Sequence, residues 1–172
     1  MATTYTLISS NVLSSAAASV TFSAIPSTYT DLVVKISART GRTDPDYILL
    51  TFNSDTTSSG TTYSDTYVLG SGSAATSGRD SSGATIYDVG IPGVNQTSNT
   101  FSSTEIYIPS YTVSANKPFS SFSVTENNAT AADIWAGANL WRNTAAITQI
   151  NMKAVSSFVS GSSFYLYGIK NS

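Results

Sequence analysis

The chain contains neither histidine nor cysteine. That composition rules out a Ser-His-Asp triad, a Cys-His pair and any imidazole- or thiolate-bound zinc. What chemistry remains belongs to ten carboxylates: Asp31, Asp44, Asp46, Asp55, Asp65, Asp80, Asp88, Glu105, Glu126 and Asp133. Two carboxyls flanking a sugar bond would make a glycosidase, and oxygens from Asp44, Asp46 and Asp55 could begin a calcium site. Most of these residues stand beside Gly, Ser, Thr or Pro, where Asp commonly caps the backbone donors of a turn. Neither Asp44-Pro45-Asp46 nor Asp55 fits the twelve-residue calcium loop with Gly sixth and Glu twelfth. The expectation is a protein without enzymatic activity, with no catalytic residue, cofactor or metal.

Other polar motifs are equally bland. Gly70-Ser71-Gly72-Ser73 is not followed by Gly-Lys-Ser or Gly-Lys-Thr or by a helix, so it reads as a loop and not a phosphate cradle. Asn95-Gln96-Thr97 and Asn128-Ala129-Thr130 fit the glycosylation pattern by chance in an Asn- and Thr-rich chain. The aromatic set Tyr63, Tyr67, Tyr87, Tyr107, Tyr111, Trp135 and Trp141 suits half-buried strands and interfaces. An alternative is that Trp135, Trp141 and Tyr67, with the loops from Tyr63 to Tyr87, form a surface that stacks sugars.

The elements that must position these residues are strands. In the expected strand 163–170, Phe164 and Leu166 point to one side while Tyr165, Tyr167 and Ile169 point to the other, so both faces need cover. Its expected partner is Asp31–Arg39, where Leu32, Val34, Ile36 and Ala38 share a face. Further strands are expected at Tyr5–Ile8, Ser19–Phe22, Tyr47–Asn53, Thr85–Val89, Thr104–Pro109, Pro118–Val124, Ile134–Trp141 and Ile147–Val155. Residues 54–83 are rich in Ser, Thr and Gly, with a strand island at Tyr67–Leu69 between long loops. Ala16–Ala18 and Ala129–Ala138 lack a sustained helical stripe, so at most a helical turn or two is expected.

At 172 residues, 41% apolar and with a net charge of −2, the chain reads as one folded domain spanning 1–172. About nine or ten short strands imply an all-β fold, an antiparallel β-sandwich of jelly-roll type. Scattered Lys and Arg give no basic stripe, so nucleic acid is not an expected partner. Nor is a membrane, since no apolar run approaches the roughly 20 residues of a span. Met1-Ala2-Thr3-Thr4-Tyr5 lacks the pattern of a signal peptide, and synthesis in a host cytoplasm is the expectation.

Several stretches together resemble virion structural proteins of tailed bacteriophages, particularly those of marine bacteria and cyanobacteria. They are Tyr5-Thr6-Leu7-Ile8-Ser9-Ser10, Ile25–Val34, Ile36–Arg39, Phe52-Asn53-Ser54-Asp55, Ile106–Tyr111, Trp141–Ile147 and Phe164–Lys170, spread over almost the whole chain. The resemblance implies a non-enzymatic, multi-copy component of the head surface or the tail, located in the virion. The leading expectation is a capsid decoration or cement protein that forms a homo-oligomer, a trimer or pentamer, and binds the major capsid protein. Tyr165, Tyr167 and Ile169 are the expected interface residues, because a two-layer sandwich buries one side of each sheet. The alternative is a tail-associated module that binds a receptor or glycan and contacts tail proteins.

Overall fold

The computed structural model describes residues 4–56, 62–72, 74–87, 89–127 and 130–170. Among them are twelve antiparallel strands and no helix. The strands are β1 (Tyr5–Val12), β2 (Ala17–Phe22), β3 (Asp31–Ser37), β4 (Asp46–Phe52), β5 (Tyr63–Ser71), β6 (Ala75–Gly83), β7 (Gly90–Ile91), β8 (Ser103–Ile108), β9 (Lys117–Asn127), β10 (Ala131–Trp141), β11 (Ile150–Phe158) and β12 (Ser163–Ile169).

One sheet runs β1-β12-β3-β8-β9-β10-β5-β6 and the other β2-β11-β4-β7. Without β5, β6, β9 and β10, the order is β1-β12-β3-β8 against β2-β11-β4-β7, which is the eight-stranded jelly roll with its two Greek keys. The two remaining pairs are hairpins inserted between β4 and β7 and between β8 and β11. They join through β10 and β5 and lengthen only the larger sheet, carrying it past the smaller one.

Alternation makes the core. Leu32, Val34 and Ile36 of β3, Phe164 and Leu166 of β12, and Ile106 and Ile108 of β8 face Ile48, Leu50 and Phe52 of β4 and Ile150, Met152 and Ala154 of β11. The last strand lies between β1 and β3, with Leu166 opposite Val34, so the expected partnership holds. At one end of the core Phe52 meets Phe119 at 5.1 Å and Trp141 at 5.5 Å, both edge to face. Burying each such ring contributes about 1.5–3 kcal/mol.

Several expectations need correction. Twelve strands form among the described residues, not nine or ten, and the stretch read as long loops around Tyr67–Leu69 is the hairpin β5–β6. Strand β6 (ATSGRDSSG) has no large apolar side chain; as an edge strand it is held by backbone pairing to β5. The expectation of at most a helical turn or two holds: among the described residues no helix forms, Ala17 opens β2 and Ala131–Ala138 lies in β10. The described residues of Thr85–Val89 form no strand but a bridge from Ile86 to Leu50 and a bond from the Ile48 N–H to the Val89 carbonyl, and the strand proper is the Gly90–Ile91 pair. Ser73, Asp88, Asn128 and Ala129 lie outside the described residues.

No helix among the described residues is long and apolar enough to cross a membrane.

Candidate functional site

The inserted hairpins create two surfaces, one on each face of the large sheet. On the inner face, cross-strand register places side chains from β10, β5 and β6 in four successive rows: Trp141–Tyr63–Gly83, Asn139–Asp65–Asp80, Gly137–Tyr67–Gly78 and Trp135–Leu69–Thr76. The first row is closed beneath the core. The last three run out beyond the small sheet, and there a cleft of about 550 Å³ opens, lined by Tyr47, Asp65, Tyr67, Leu69, Thr76, Arg79, Asp80, Tyr87 and Trp135.

Glycines seat the two principal rings. Tyr67 stands between Gly137 and Gly78 in its row, and a Cβ on Gly78 would come within 2.5 Å of the phenol ring. Trp135 lies across the backbone of Gly90 in β7, where a Cβ would meet the indole Nε1 at 2.5 Å. Only glycine allows a ring to rest this closely on a strand. Tyr47, paired with Gly90, then meets Trp135 edge to face at 5.3 Å, and Tyr87 stands exposed at the lip.

The polar wall depends on a bulge. Strand β6 has one residue more than β5 between the Tyr63–Gly83 and Asp65–Asp80 pairs. The Ser82 N–H turns back and donates to Asp80 Oδ1 at 2.9 Å, while Arg142 Nη2 donates to the Ser81 carbonyl at 2.7 Å. Asp65 is buried. The two carboxylates sit opposite each other in the β5–β6 register, on one wall, and do not flank a bond from opposite sides.

Other carboxylates are tied to the frame. Asp46 is fully buried and accepts from Thr40 Oγ1 at 3.0 Å and the Tyr47 N–H at 2.8 Å. Asp55 accepts from Trp141 Nε1 at 3.0 Å and Asn143 Nδ2 at 3.2 Å. Asp31 accepts from the Tyr107 hydroxyl and the Ser110 N–H, both at 2.8 Å. Glu105 pairs with Lys35, and Glu126 accepts from Thr97 N–H at 3.0 Å and Thr97 Oγ1 at 2.6 Å. Asp133 accepts from Asn127 Nδ2 at 3.3 Å. Among the described residues, no three His, Cys, Asp or Glu side chains converge as metal ligands.

The outer face of the large sheet is a second surface. One row reads Leu7–Tyr167–Val33–Tyr107–Ser120–Ala138–Thr66, and another Tyr165–Lys35–Glu105–Phe122–Ala136–Val68. Val33 is 1% exposed although it is no part of the core cluster, because the rings of Tyr167 and Tyr107 flank it. Leu7, Val68, Phe122 and Ile134 are exposed at 51, 49, 47 and 41%. Beneath Phe122 the inward positions of β9 are Ser121, Ser123 and Thr125, all buried.

The expected site residues are thus distributed unevenly. Tyr67 and Trp135 do come together in the cleft. Trp141 does not: it points inward, has no exposed surface and packs on Phe52, which removes it from any sugar-binding surface. Tyr63 is likewise enclosed, its hydroxyl accepting from the Phe52 N–H at 2.8 Å, and burial pushes its phenol well above the ordinary tyrosine range. Tyr165 and Tyr167 lie half-buried on the outer face, Tyr167 edge-on to Tyr5 at 6.4 Å. Ile169 is buried within the chain, 7% exposed, and offers little area to a partner. Sequence reading overlooked Tyr47 and the Asp65–Asp80 pair in the cleft, and Phe122 and Ile134 on the outer face. The period-two run Tyr63-x-Asp65-x-Tyr67-x-Leu69 was the signal for the first group.

No family model, curated protein or solved structure matches the chain.

Proposed function

We propose that the chain is a non-enzymatic structural protein of a tailed-bacteriophage virion, a decoration or cement protein that self-associates and docks on the head. The supporting observation is the inverted pattern of β9 and its neighbours: hydroxyls buried inside, and Phe122, Ile134 and Val68 turned outward. A monomer in water gains nothing from that arrangement, whereas an assembly buries the apolar side against a second surface. The bacteriophage assignment itself rests on the resemblance of the stretches from Tyr5 to Lys170.

Quantitative mass spectrometry of purified particles of the encoding phage tests this reading. On the order of hundreds of copies per particle is the expected result for an icosahedral shell. About a dozen copies would move the protein to the tail, and absence from the particle would end the proposal. Sedimentation velocity of the purified chain supplies the second arm, with a trimer or pentamer expected.

A further inference from the structure

We infer that the cleft between the β10-β5-β6 extension and the rim of the small sheet binds an uncharged saccharide of one or two pyranose rings. Its size lies within the roughly 300–1,000 Å³ of ordinary small-ligand sites. The walls divide by chemistry. Tyr67 and Trp135 offer flat apolar faces, already immobilised by Gly78 and Gly90, against which the C–H face of a pyranose can stack without further ordering of the protein. The Thr76 hydroxyl stands in the row of Trp135, and Asp80, beside the buried Asp65, in the row next to Tyr67, so that hydroxyls of a stacked ring have polar groups on both sides of the Tyr67 row. Asp80 is already oriented by Ser82.

Charge selects among sugars. Two carboxylates against the single guanidinium of Arg79 disfavour a uronic or sialic acid, whose carboxylate would face Asp65 and Asp80. A quaternary ammonium would find rings and carboxylates as well, but it would fill a small part of the cleft and would lie near Arg79. The neutral sugar uses both the rings and the row of acceptors. This inference is independent of docking, since the cleft and the Phe122 surface lie on opposite faces of one sheet.

The test titrates the full chain with glucose, galactose, mannose, N-acetylglucosamine and their disaccharides, followed by tryptophan fluorescence and calorimetry. At least one should bind and perturb the fluorescence of Trp135, since Trp141 is enclosed. Trp135→Ala should weaken that binding about tenfold or more, as loss of an aromatic anchor does. Tyr87→Ala, at the exposed lip, should weaken it by a smaller factor. Phe122→Ser should leave it unchanged. Failure of every sugar to bind would overturn the inference, as would wild-type affinity in both Trp135→Ala and Tyr87→Ala. Binding of tetramethylammonium in place of sugars would assign the cleft to cations and overturn it too.

Discussion

Phe122 and Ser123 are chain neighbours with inverted environments. The phenyl ring of Phe122 points outward and is half exposed, while Ser123 Oγ is buried, 2.6 Å from Thr104 Oγ1 and donating to the Gly90 carbonyl at 2.7 Å. The Ser123 hydroxyl thus links β9 to β8 and to β7. Phe122 outside stays exposed among the described residues.

Phe122→Ser is therefore expected to weaken self-association or head docking by about 1–3 kcal/mol while the monomer's thermal melt stays within a few degrees of wild type. Sedimentation velocity beside calorimetric melting checks both halves. Unaltered association would remove Phe122 from the interface, and a collapsed melt would place it in the fold.

Ser123→Val should act in reverse. It leaves the Gly90 carbonyl and Thr104 hydroxyl without their buried partner, a loss of about 1–3 kcal/mol of stability, with association unchanged for whatever fraction folds. Urea denaturation at constant slope is the measurement, and a variant as stable as wild type would show that the hydroxyl layer is dispensable.

Tyr167 has two neighbours that matter, Tyr5 at 6.4 Å and Val33 beside it in the row. Tyr167→Ser uncovers Val33, so it should lower monomer stability by about 1–2 kcal/mol in addition to weakening association by about 1–3 kcal/mol, with unfolding still cooperative. Leu7→Ser, half exposed in the same row, should weaken association alone. Equal melting temperatures for Tyr167→Ser and wild type would show that Val33 owes nothing to that ring.

The jelly roll was legible because its longer strands alternate, as in Leu32–Ile36 and Phe164–Leu166, and because the last strand was strong enough to pair with the early Asp31–Arg39 stretch; the two-residue β7 carries no such signal. The extension was not. Strand β6 consists of Ala, Thr, Ser, Gly, Arg and Asp, and what makes it a strand is the ladder to β5, a non-local partner that composition does not reveal. The same non-locality hid the cleft: Asp65 and Asp80 are fifteen positions apart along the chain, but the bulge at Ser81 and Ser82 sets them directly opposite each other. Trp141 was misplaced because a tryptophan near a loop reads alike whether its strand turns it inward or outward. Only the register with Tyr63 decides that it faces the core.

Alkaline pH should expose the role of Tyr63. Its phenol is fully buried against the Phe52 N–H, and burial, opposed by that hydrogen bond and reinforced by Asp55, raises its pKa far above the ordinary 10.0. The folded state therefore keeps the proton that the unfolded chain loses above about pH 10. A group raised in the folded state contributes stability that is whole below the unfolded pKa and is lost as pH climbs toward the folded one, here at up to about 1.4 kcal/mol per pH unit. Tyr107, raised chiefly by its bond to Asp31, and Tyr111, raised by burial, add to the fall. Lys117 works the other way: burial lowers its pKa from 10.5, so its penalty eases as pH approaches that value. Stability should hold to about pH 10 and then drop. Tyr63→Phe leaves the Phe52 N–H without its acceptor and should be less stable by about 1–3 kcal/mol at neutral pH, yet its curve should fall less steeply, so that the two variants converge above pH 10. Thermal melts of both proteins between pH 7 and 11 make the comparison, and curves that stay parallel throughout would show that the phenol of Tyr63 does not control the alkaline limit.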